Sequence, residues 1–158
     1  MEPSKLISEL QLQPHPEGGY YRETYRSDET LLTPDGRIRN FSTAIYYLMC
    51  GDNCSHLHRI RSDEVWHVYC GEAVELVIIE AGVLRIELLG HNTAAGERPQ
   101  AVAPRGAWFG ARLRSGKGEA LVGCTVSPGF LFEDFELGRP DDFRHLACYE
   151  QIKELIGE

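Results

Sequence analysis

Short stretches rich in Tyr, Thr, Val, Ile and Phe follow one another along the chain from Tyr20 onward, and clusters of Gly, Asp, Asn or Pro separate them. Such stretches favour β-strands, and the clusters favour turns. Their spacing is typical of an antiparallel barrel or sandwich, so the predicted fold class is all-β. The pattern is weakest between Gly90 and Pro104, and the predicted strands cover residues 20–27, 41–50, 64–70, 73–80, 83–88, 107–114 and 119–126.

The two ends of the chain follow a helical repeat instead. Ser4 can cap a short N-terminal helix that runs to about Leu10. Asp141 or Asp142 can cap a C-terminal helix that runs to about Ile156, and we expect it to pack on the outside of the barrel. Because no repeat or linker interrupts the sequence, one domain over residues 1–158 is predicted.

The charge balance narrows the expected partners. The 158 residues carry a formal net charge of -8, and the pI is near 5.3. Nucleic acid and anionic membranes both need a basic surface, so we expect neither as a main partner. The expected partner is a small molecule, held by a domain large enough to fold without disulfide or metal staples.

The N-terminus and the cysteines indicate a cytoplasmic protein. The first residues lack the basic and apolar run of a signal peptide, and the longest unbroken apolar stretch, 44–50, is too short to span a bilayer. Five cysteines are an odd number without a Cys-x-x-Cys pair, which suits free thiols in a reducing compartment.

A histidine pair and a glutamate are the candidates for chemistry. His56 and His58 point the same way if they lie on a strand, because strand side chains alternate between faces. Glu64 on the next strand can converge on them, and three such groups hold a divalent metal or move protons on a small molecule. The same alternation puts Trp66 on the face of Glu64 and His67 on the outward face.

Residues 51–71 resemble the first motif of the cupin superfamily, which consists of a glycine, His-x-His, a glutamate and a second glycine. The residues in those places are Gly51, His56, His58, Glu64 and Gly71. The second cupin motif, Pro-x-Gly-x-x-His, is similar to the segment 104–109, where an aromatic residue replaces the histidine.

Segments 15–25, 62–67, 124–130 and 133–135 are similar to the cupin 5 family (DUF985), and the resemblance spans nearly the whole chain. It implies a double-stranded β-helix, or jelly-roll, barrel, which agrees with the strand pattern. It also implies kinship with RmlC-like sugar-nucleotide epimerases and with storage and binding cupins. Because open sheet edges favour pairing with another copy and cupins are commonly dimers, a homodimer is predicted.

The resemblance to RmlC-like epimerases implies a histidine, a carboxylate and a tyrosine that act on a carbohydrate-related, anionic substrate such as a nucleotide sugar. Here His58 is the predicted base, and Glu64 orients it. A partly buried histidine beside a carboxylate has a pKa near neutrality, which proton abstraction beside a carbonyl requires. The donor on the other face of the substrate is Tyr20, Tyr21 or Tyr47.

Arginines and aromatic residues complete the predicted pocket. A guanidinium near the histidines can clamp a phosphate or carboxylate. The aromatic pair in the second motif stands where the histidine is missing and predicts stacking on a flat or sugar-like ligand. The predicted ligand-binding residues are Arg22, Arg61, Trp66, Trp108, Phe109 and Phe130.

Two other interpretations stay open. His56, His58 and Glu64 can present a two-histidine, one-carboxylate face to iron, manganese, nickel or zinc, as in a dioxygenase-like cupin. The missing second-motif histidine removes the usual fourth ligand, and the epimerase interpretation needs no obligatory metal. The third interpretation is a binding or structural cupin without turnover.

Overall fold

A computed structural model describes the backbone of residues 3–157 and the side chains of residues 5–157. Strands dominate this part of the chain, and none of its helices is long and apolar enough to cross a lipid bilayer. In chain order the elements are α1 (Pro3–Glu9), β1 (Gln13–Pro14), β2 (Tyr20–Arg26), β3 (Thr30–Leu32), β4 (Ile38–Asn40), β5 (Thr43–Cys50), β6 (Cys54–Arg59), β7 (Asp63–Gly71), β8 (Val74–Glu80), β9 (Val83–Leu89), β10 (Gln100–Ala103), β11 (Trp108–Leu113), β12 (Glu119–Ser127), β13 (Glu136–Leu137), α2 (Pro140–Phe143) and α3 (Tyr149–Ile152).

Two antiparallel sheets face each other. One has the strand order β1-β2-β5-β12-β7-β10 and the other the order β13-β6-β11-β8-β9, while β3 and β4 form a separate hairpin. The predicted all-β class is confirmed, and every strand predicted from the residue pattern forms. β10 lies in the stretch where the pattern is weakest.

The main core fills the space between the sheets. Strand β7 contributes Glu64, Trp66 and Val68 to this interior, all buried, as the alternation predicts. Trp66 packs edge-on against the ring of Tyr47 from β5. Because both large aromatic side chains are almost fully buried, they are structural filling between the sheets.

Helical segments cover the outer faces of both sheets. Leu6 and Leu12, in and just after α1, pack on Leu48 and Leu121 of the larger sheet. The C-terminal segment covers the smaller sheet with three buried side chains. Its position outside the barrel agrees with the prediction. These outer contacts fall on Leu57, Val77 and Ile79 and come from Phe143, Ile152 and Leu155.

The single C-terminal helix predicted from Asp141 or Asp142 to Ile156 is wrong. The segment forms two one-turn helices and a final 3-10 turn, and hydrogen bonds with i+3 spacing join Leu146 to Phe143 and Tyr149 to Leu146. A spacing of three is the period of a 3-10 helix, so apolar side chains at every third position stay on the sheet. Asp142 does not begin the helix: its carboxylate accepts from the backbone N–H of residue 139, one position before Pro140.

A β-bulge interrupts β6 at the histidine pair. His58 pairs with Phe109 and Ser55 pairs with Ala111, so His56 and Leu57 together stand opposite a single residue, 110, of β11. A bulge of this kind breaks the alternation of side chains. The prediction that both histidines point the same way is therefore wrong, because only His58 faces the interior.

Candidate functional site

A cavity of about 280 Å³ opens at one end of the barrel. We call it the barrel cavity. Neighbouring strands β2, β5, β12 and β7 supply one wall, β6 supplies part of the base, and the chain between β12 and β13 supplies the other wall. Its ionisable lining consists of His15, Glu17, Tyr21, Glu23, Arg26, His58, Glu64 and Cys124.

The segment 15–19 forms a tight turn that directs one carboxylate into this cavity. Gly18 has a φ of +104°, and a Cβ placed there would lie 2.1 Å from the carbonyl oxygen of Cys54, so no other residue fits without a shift. Two hydrogen bonds fasten the turn to neighbouring strands. The Glu17 carbonyl accepts from the backbone N–H of His56 at 2.7 Å, and the Gly18 carbonyl accepts from the Tyr47 hydroxyl at 2.7 Å. Glu17 is held pointing inward as a result.

Glu17 and His58 form a buried pair. Glu17 Oε2 lies 3.0 Å from His58 Nε2, and the side chains are 8% and 2% exposed. The Ser55 hydroxyl donates to the other oxygen, Oε1, at 2.7 Å. The His58 ring is also fixed by aromatic contacts, 4.2 Å from the ring centre of Phe109 and 5.2 Å from that of Phe135.

One proton is shared between these two side chains. His58 Nδ1 lies 2.8 Å from the carbonyl oxygen of His56, which only accepts, so Nδ1 carries a hydrogen and donates. Nε2 and Glu17 Oε2 can then hydrogen bond with a single proton between them. Burial raises the pKa of Glu17 and lowers the pKa of His58, which favours the neutral pair of carboxylic acid and imidazole.

His15 lies on the other side of Glu17. Its Nδ1 accepts from the backbone N–H of Glu17 at 3.1 Å, so the hydrogen of the neutral ring is on Nε2. Burial lowers the pKa of His15, the carboxylate of Glu17 opposes this shift, and His58 adds to it. The ring packs edge-on against Tyr21 with centres 4.5 Å apart. His15 is therefore a neutral hydrogen-bond donor in the lining of the barrel cavity.

Glu64 is the second carboxyl group in the cavity. It is 7% exposed, and burial raises its pKa from 4.5 to about 7. A positive charge on His58 would act in the opposite direction, and a negative charge on Glu17 adds to the increase. A carboxyl group with this pKa changes its protonation state at neutral pH, as a general acid or base requires.

The outer part of the cavity is aromatic. Phe130, Phe132 and Phe135 come from the chain between β12 and β13, and Tyr21 faces them from β2. Arg26 lies at this wall, where it donates to the Phe130 carbonyl at 2.9 Å and forms two hydrogen bonds with Glu23. The cavity thus combines apolar ring surfaces with one guanidinium and a polar base.

Four of the predicted site residues line the barrel cavity: Tyr21, His58, Glu64 and Phe130. Phe109 and Tyr47 lie behind the lining, where Phe109 supports the His58 ring and Tyr47 holds the Gly18 turn. Trp66 is fully buried core. The remaining predicted residues lie elsewhere.

Tyr20, Arg22 and Trp108 face outward because of their place in the strand alternation, and Arg61 lies in the loop after β6. Tyr20 packs in the cluster under α1, and the Arg22 side chain donates to the Leu10 carbonyl, so the inward tyrosine of β2 is Tyr21. Trp108 lies on the outer face of β11 against α2 and the Arg59 guanidinium. Arg61, 65% exposed, lines a separate groove.

The residues present do not fit the metal that the histidine motif implies. The His56 imidazole lies beside Gly157, away from the barrel cavity, so His56, His58 and Glu64 are not brought together. The place of the second-motif histidine is filled by the Phe109 ring. Among residues 5–157, no group of three or more His, Cys, Asp or Glu is arranged to hold a metal ion.

Sequence reasoning missed His15, Glu17 and Arg26 in the lining. The segment 15–19 predicts only a rigid turn when it is considered alone. Its usable signal is the ionisable pair itself, because a histidine and a glutamate placed around a proline and before two glycines are held in fixed directions.

Comparison with known proteins gives the family. The Cupin_5 family model, described as cupin superfamily (DUF985), matches residues 4–138. An uncharacterized protein of Saccharomyces cerevisiae, YML079W, is 30% identical over 166 residues, which cover 96% of this chain and 83% of that protein.

Solved structures agree. A hypothetical protein from Leishmania major is 35% identical with a TM-score of 0.89 and covers 100% of both chains. A protein from Shewanella oneidensis is also 35% identical with a TM-score of 0.89, over 99% of this chain and 98% of that one. Oxalate decarboxylase from Bacillus subtilis shares the fold at 18% identity, with a TM-score of 0.58 over 92% of this chain and 37% of that one. The chain therefore belongs to the Cupin_5 family (DUF985) of the cupin superfamily.

Proposed function

We propose that this cupin binds a small, carbohydrate-related ligand in the barrel cavity and moves a proton on it, as an RmlC-like epimerase or isomerase does. The observation that carries the proposal is the pKa of Glu64, which burial raises to about 7 in the lining of the cavity. General acid–base catalysis is most efficient when the pKa of the catalytic group lies near the working pH.

In the proposed reaction, the Glu64 carboxylate takes the proton from a carbon next to a ligand carbonyl. The electron pair moves to the carbonyl oxygen, which becomes an enolate and accepts a hydrogen bond from Nε2–H of the neutral His15. As the electron pair returns from the oxygen to the carbon, the Tyr21 hydroxyl, which faces the same space, gives its proton to the opposite side of that carbon. Solvent then carries the proton from Glu64 back to the Tyr21 oxygen. Of the three tyrosines that the sequence offers for this role, Tyr20, Tyr21 and Tyr47, only Tyr21 lines the barrel cavity.

His58 acts through its neighbours in this proposal. Both ring nitrogens are engaged, Nδ1 by the His56 carbonyl and Nε2 by Glu17, so the ring has no free lone pair for a ligand. The Glu17–His58 pair keeps a shared proton close to Glu64 and holds the turn that carries His15. His58 is a positioning residue.

The lining also suggests the ligand class. Phenylalanine rings stack on the apolar faces of sugar or other flat rings, which supports a carbohydrate-related ligand. A cavity of about 280 Å³ suits a single small molecule. All five cysteines are free, which supports a cytoplasmic location as part of the proposal.

A binding cupin without turnover is the second candidate. The observation that favours it is the engagement of both His58 nitrogens within the protein, which leaves the predicted base without a site for a substrate proton. In that case the ionisable side chains at the bottom of the cavity only orient a ligand.

Solvent deuterium exchange separates the two candidates. A panel of nucleotide sugars and keto sugars is incubated with the protein in D₂O, and deuterium at carbon is measured by NMR. The epimerase proposal expects exchange by the native protein and a loss of at least about 100-fold in Glu64→Gln, which keeps the shape but not the basicity. If a sugar stabilises the protein against heat but no exchange occurs, the epimerase proposal is wrong and the binding cupin is supported.

Adjacent tyrosines provide a matched control. Tyr21→Phe removes the hydroxyl in the cavity, whereas Tyr20→Phe removes one on the outer face of the same strand. The proposal expects Tyr21→Phe alone to slow exchange. Equal rates in both variants would exclude Tyr21 as the donor.

A further inference from the structure

A second depression lies outside the barrel, and it is lined by four arginines. We call this cavity of about 520 Å³ the arginine groove. It shares no lining residue with the barrel cavity. The arginines are Arg39, Arg59, Arg61 and Arg105, on a chain whose formal net charge is -8.

Two of these arginines are neutralised by neighbours. Arg39 is buried and bonds to the Asp134 carboxylate and the Gly129 carbonyl. Arg59 makes a two-pronged contact with Glu136, at 2.7 and 3.0 Å, and its guanidinium lies 4.4 Å from the ring centre of Trp108. These contacts fix the wall of the arginine groove, and the paired carboxylates cancel most of the charge of these two arginines.

The other two arginines keep their hydrogen-bond donors open. Arg61 is 65% exposed, and its nearest carboxylate oxygens, on Asp35 and Asp134, lie at 3.6 and 3.8 Å, beyond a normal hydrogen bond. The exposed Arg105 side chain has no hydrogen bond or ion pair with any residue in the part of the chain that the structure describes.

A buried hydroxyl in the same lining is also unsatisfied. Ser62 is 2% exposed, and its Oγ has no hydrogen-bond partner among residues 5–157. A buried polar atom without a partner costs free energy, which an added oxygen ligand would relieve. This hydroxyl is independent of the two open guanidinium groups.

We propose that the arginine groove binds the phosphate group of a small molecule, with Arg61 and Arg105 as its charged partners. A phosphate dianion has enough oxygens to accept from two planar guanidinium groups at once, each through paired N–H bonds. The lining sets four arginines against the carboxylates of Asp35, Asp134 and Glu136, so it has an excess of positive charge on an acidic protein. A nucleic-acid polymer would instead need a basic surface along its length.

Titration with inorganic phosphate and with a sugar phosphate, at constant ionic strength and followed by ³¹P NMR, tests this site. The expected result is saturable binding by the native protein and an affinity lower by about tenfold in Arg61→Gln and in Arg105→Gln. Tighter binding of the sugar phosphate than of free phosphate would show that the group belongs to a larger ligand.

Arg114→Gln is the matched control, because Arg114 is an exposed arginine just beyond the opposite end of β11 from Arg105. It should bind phosphate as the native protein does. Linear, unsaturated responses, or the same loss in Arg114→Gln, overturn the proposal. This outcome is independent of the epimerase test, since no catalysis is measured.

Discussion

Glu64 makes stability depend on pH at the level of a single side chain. Its pKa is about 7 in the folded protein against an ordinary value of 4.5, so between these values the folded protein keeps a proton that the unfolded chain has released. Stability therefore falls as pH rises from about 4.5 through about 7. Above about pH 7 the burial of Glu64 lowers the free energy of unfolding by about 3 kcal/mol in total.

Glu64→Gln should remove this cost. We expect the free energy of unfolding of the variant, relative to the native protein, to grow by about 3 kcal/mol between pH 4 and pH 8 in urea titrations. The lowered pKa values of His15 and His58 make stability rise with pH below 6.5. This effect is present in the native protein and in the variant, so it cancels in the difference between them. Parallel curves would contradict the prediction, and Glu80→Gln, an exposed carboxylate, is the control.

The two histidines of the motif should respond differently to truncation. His58→Ala removes a buried ring that packs on Phe109 and leaves the buried Glu17 carboxyl without its hydrogen-bond partner, so we expect a loss of about 3–5 kcal/mol in the free energy of unfolding. His56→Ala removes a ring outside the cavity and should cost less than about 1 kcal/mol. Similar losses in urea unfolding would show that His56 also supports the interior.

Alternation along a strand predicts single residues well where the strand is regular. It places Glu64 and Trp66 in the interior, as observed. It fails at His56, because a bulge inserts one residue and reverses the facing from that point. A period of two contains no information about where the extra residue falls.

At the scale of elements, the bulge in β6 depends on Gly110 of the neighbouring strand. A Cβ at Gly110 would lie 2.6 Å from the Ser55 carbonyl oxygen. We expect Gly110→Ala to lower the free energy of unfolding by about 2–3 kcal/mol. Gly116→Ala, at a positive φ but with nothing within 4 Å, should cost only about 1 kcal/mol. Chemical denaturation measures both, and a milder effect at Gly110 than at Gly116 would contradict this account.

Elements were predictable in proportion to the strength of their residue pattern. Strand β8, with its apolar run of Leu, Val and two Ile residues, is found within one residue of its predicted start. The C-terminal segment kept its apolar stripe but not its helix, because a repeat of three positions fits a 3-10 turn as well as one face of an α-helix. The sheet on which the segment packs determines whether the 3-10 turn or the α-helix is formed.

At the scale of the whole molecule, we propose a homodimer formed through the open sheet edges. Val83 and Ile86 of the edge strand β9 are 69% and 46% exposed, and Val102 of the edge strand β10 is 45% exposed. Apolar side chains on an open edge favour a partner. Light scattering after gel filtration should give twice 17.8 kDa.

Substitutions at two surfaces locate the interface. Ile86→Lys should give the monomer mass, whereas Leu32→Lys, on the exposed β3–β4 hairpin, should not. A native monomer would exclude the homodimer, and dissociation by Leu32→Lys alone would move the interface to the hairpin.

The whole-molecule arrangement of the site was beyond sequence reasoning. Glu17 and His58 are 41 positions apart, and their contact depends on a turn that crosses β5 and reaches β6. Local patterns predict the turn and the strand separately. The convergence requires the register of three strands at once, which no single segment specifies.

The chain between β12 and β13 forms a partition one chain thick. Phe130, Phe132 and Phe135 face the barrel cavity, whereas Asp134 and Glu136 face the arginine groove. The backbone that joins them cannot move for one compartment without moving for the other. Replacement of a phenylalanine to admit a larger ligand will therefore also shift the salt bridges of Asp134 and Glu136 in the arginine groove. Ligand binding by such variants should be measured at both the barrel cavity and the arginine groove.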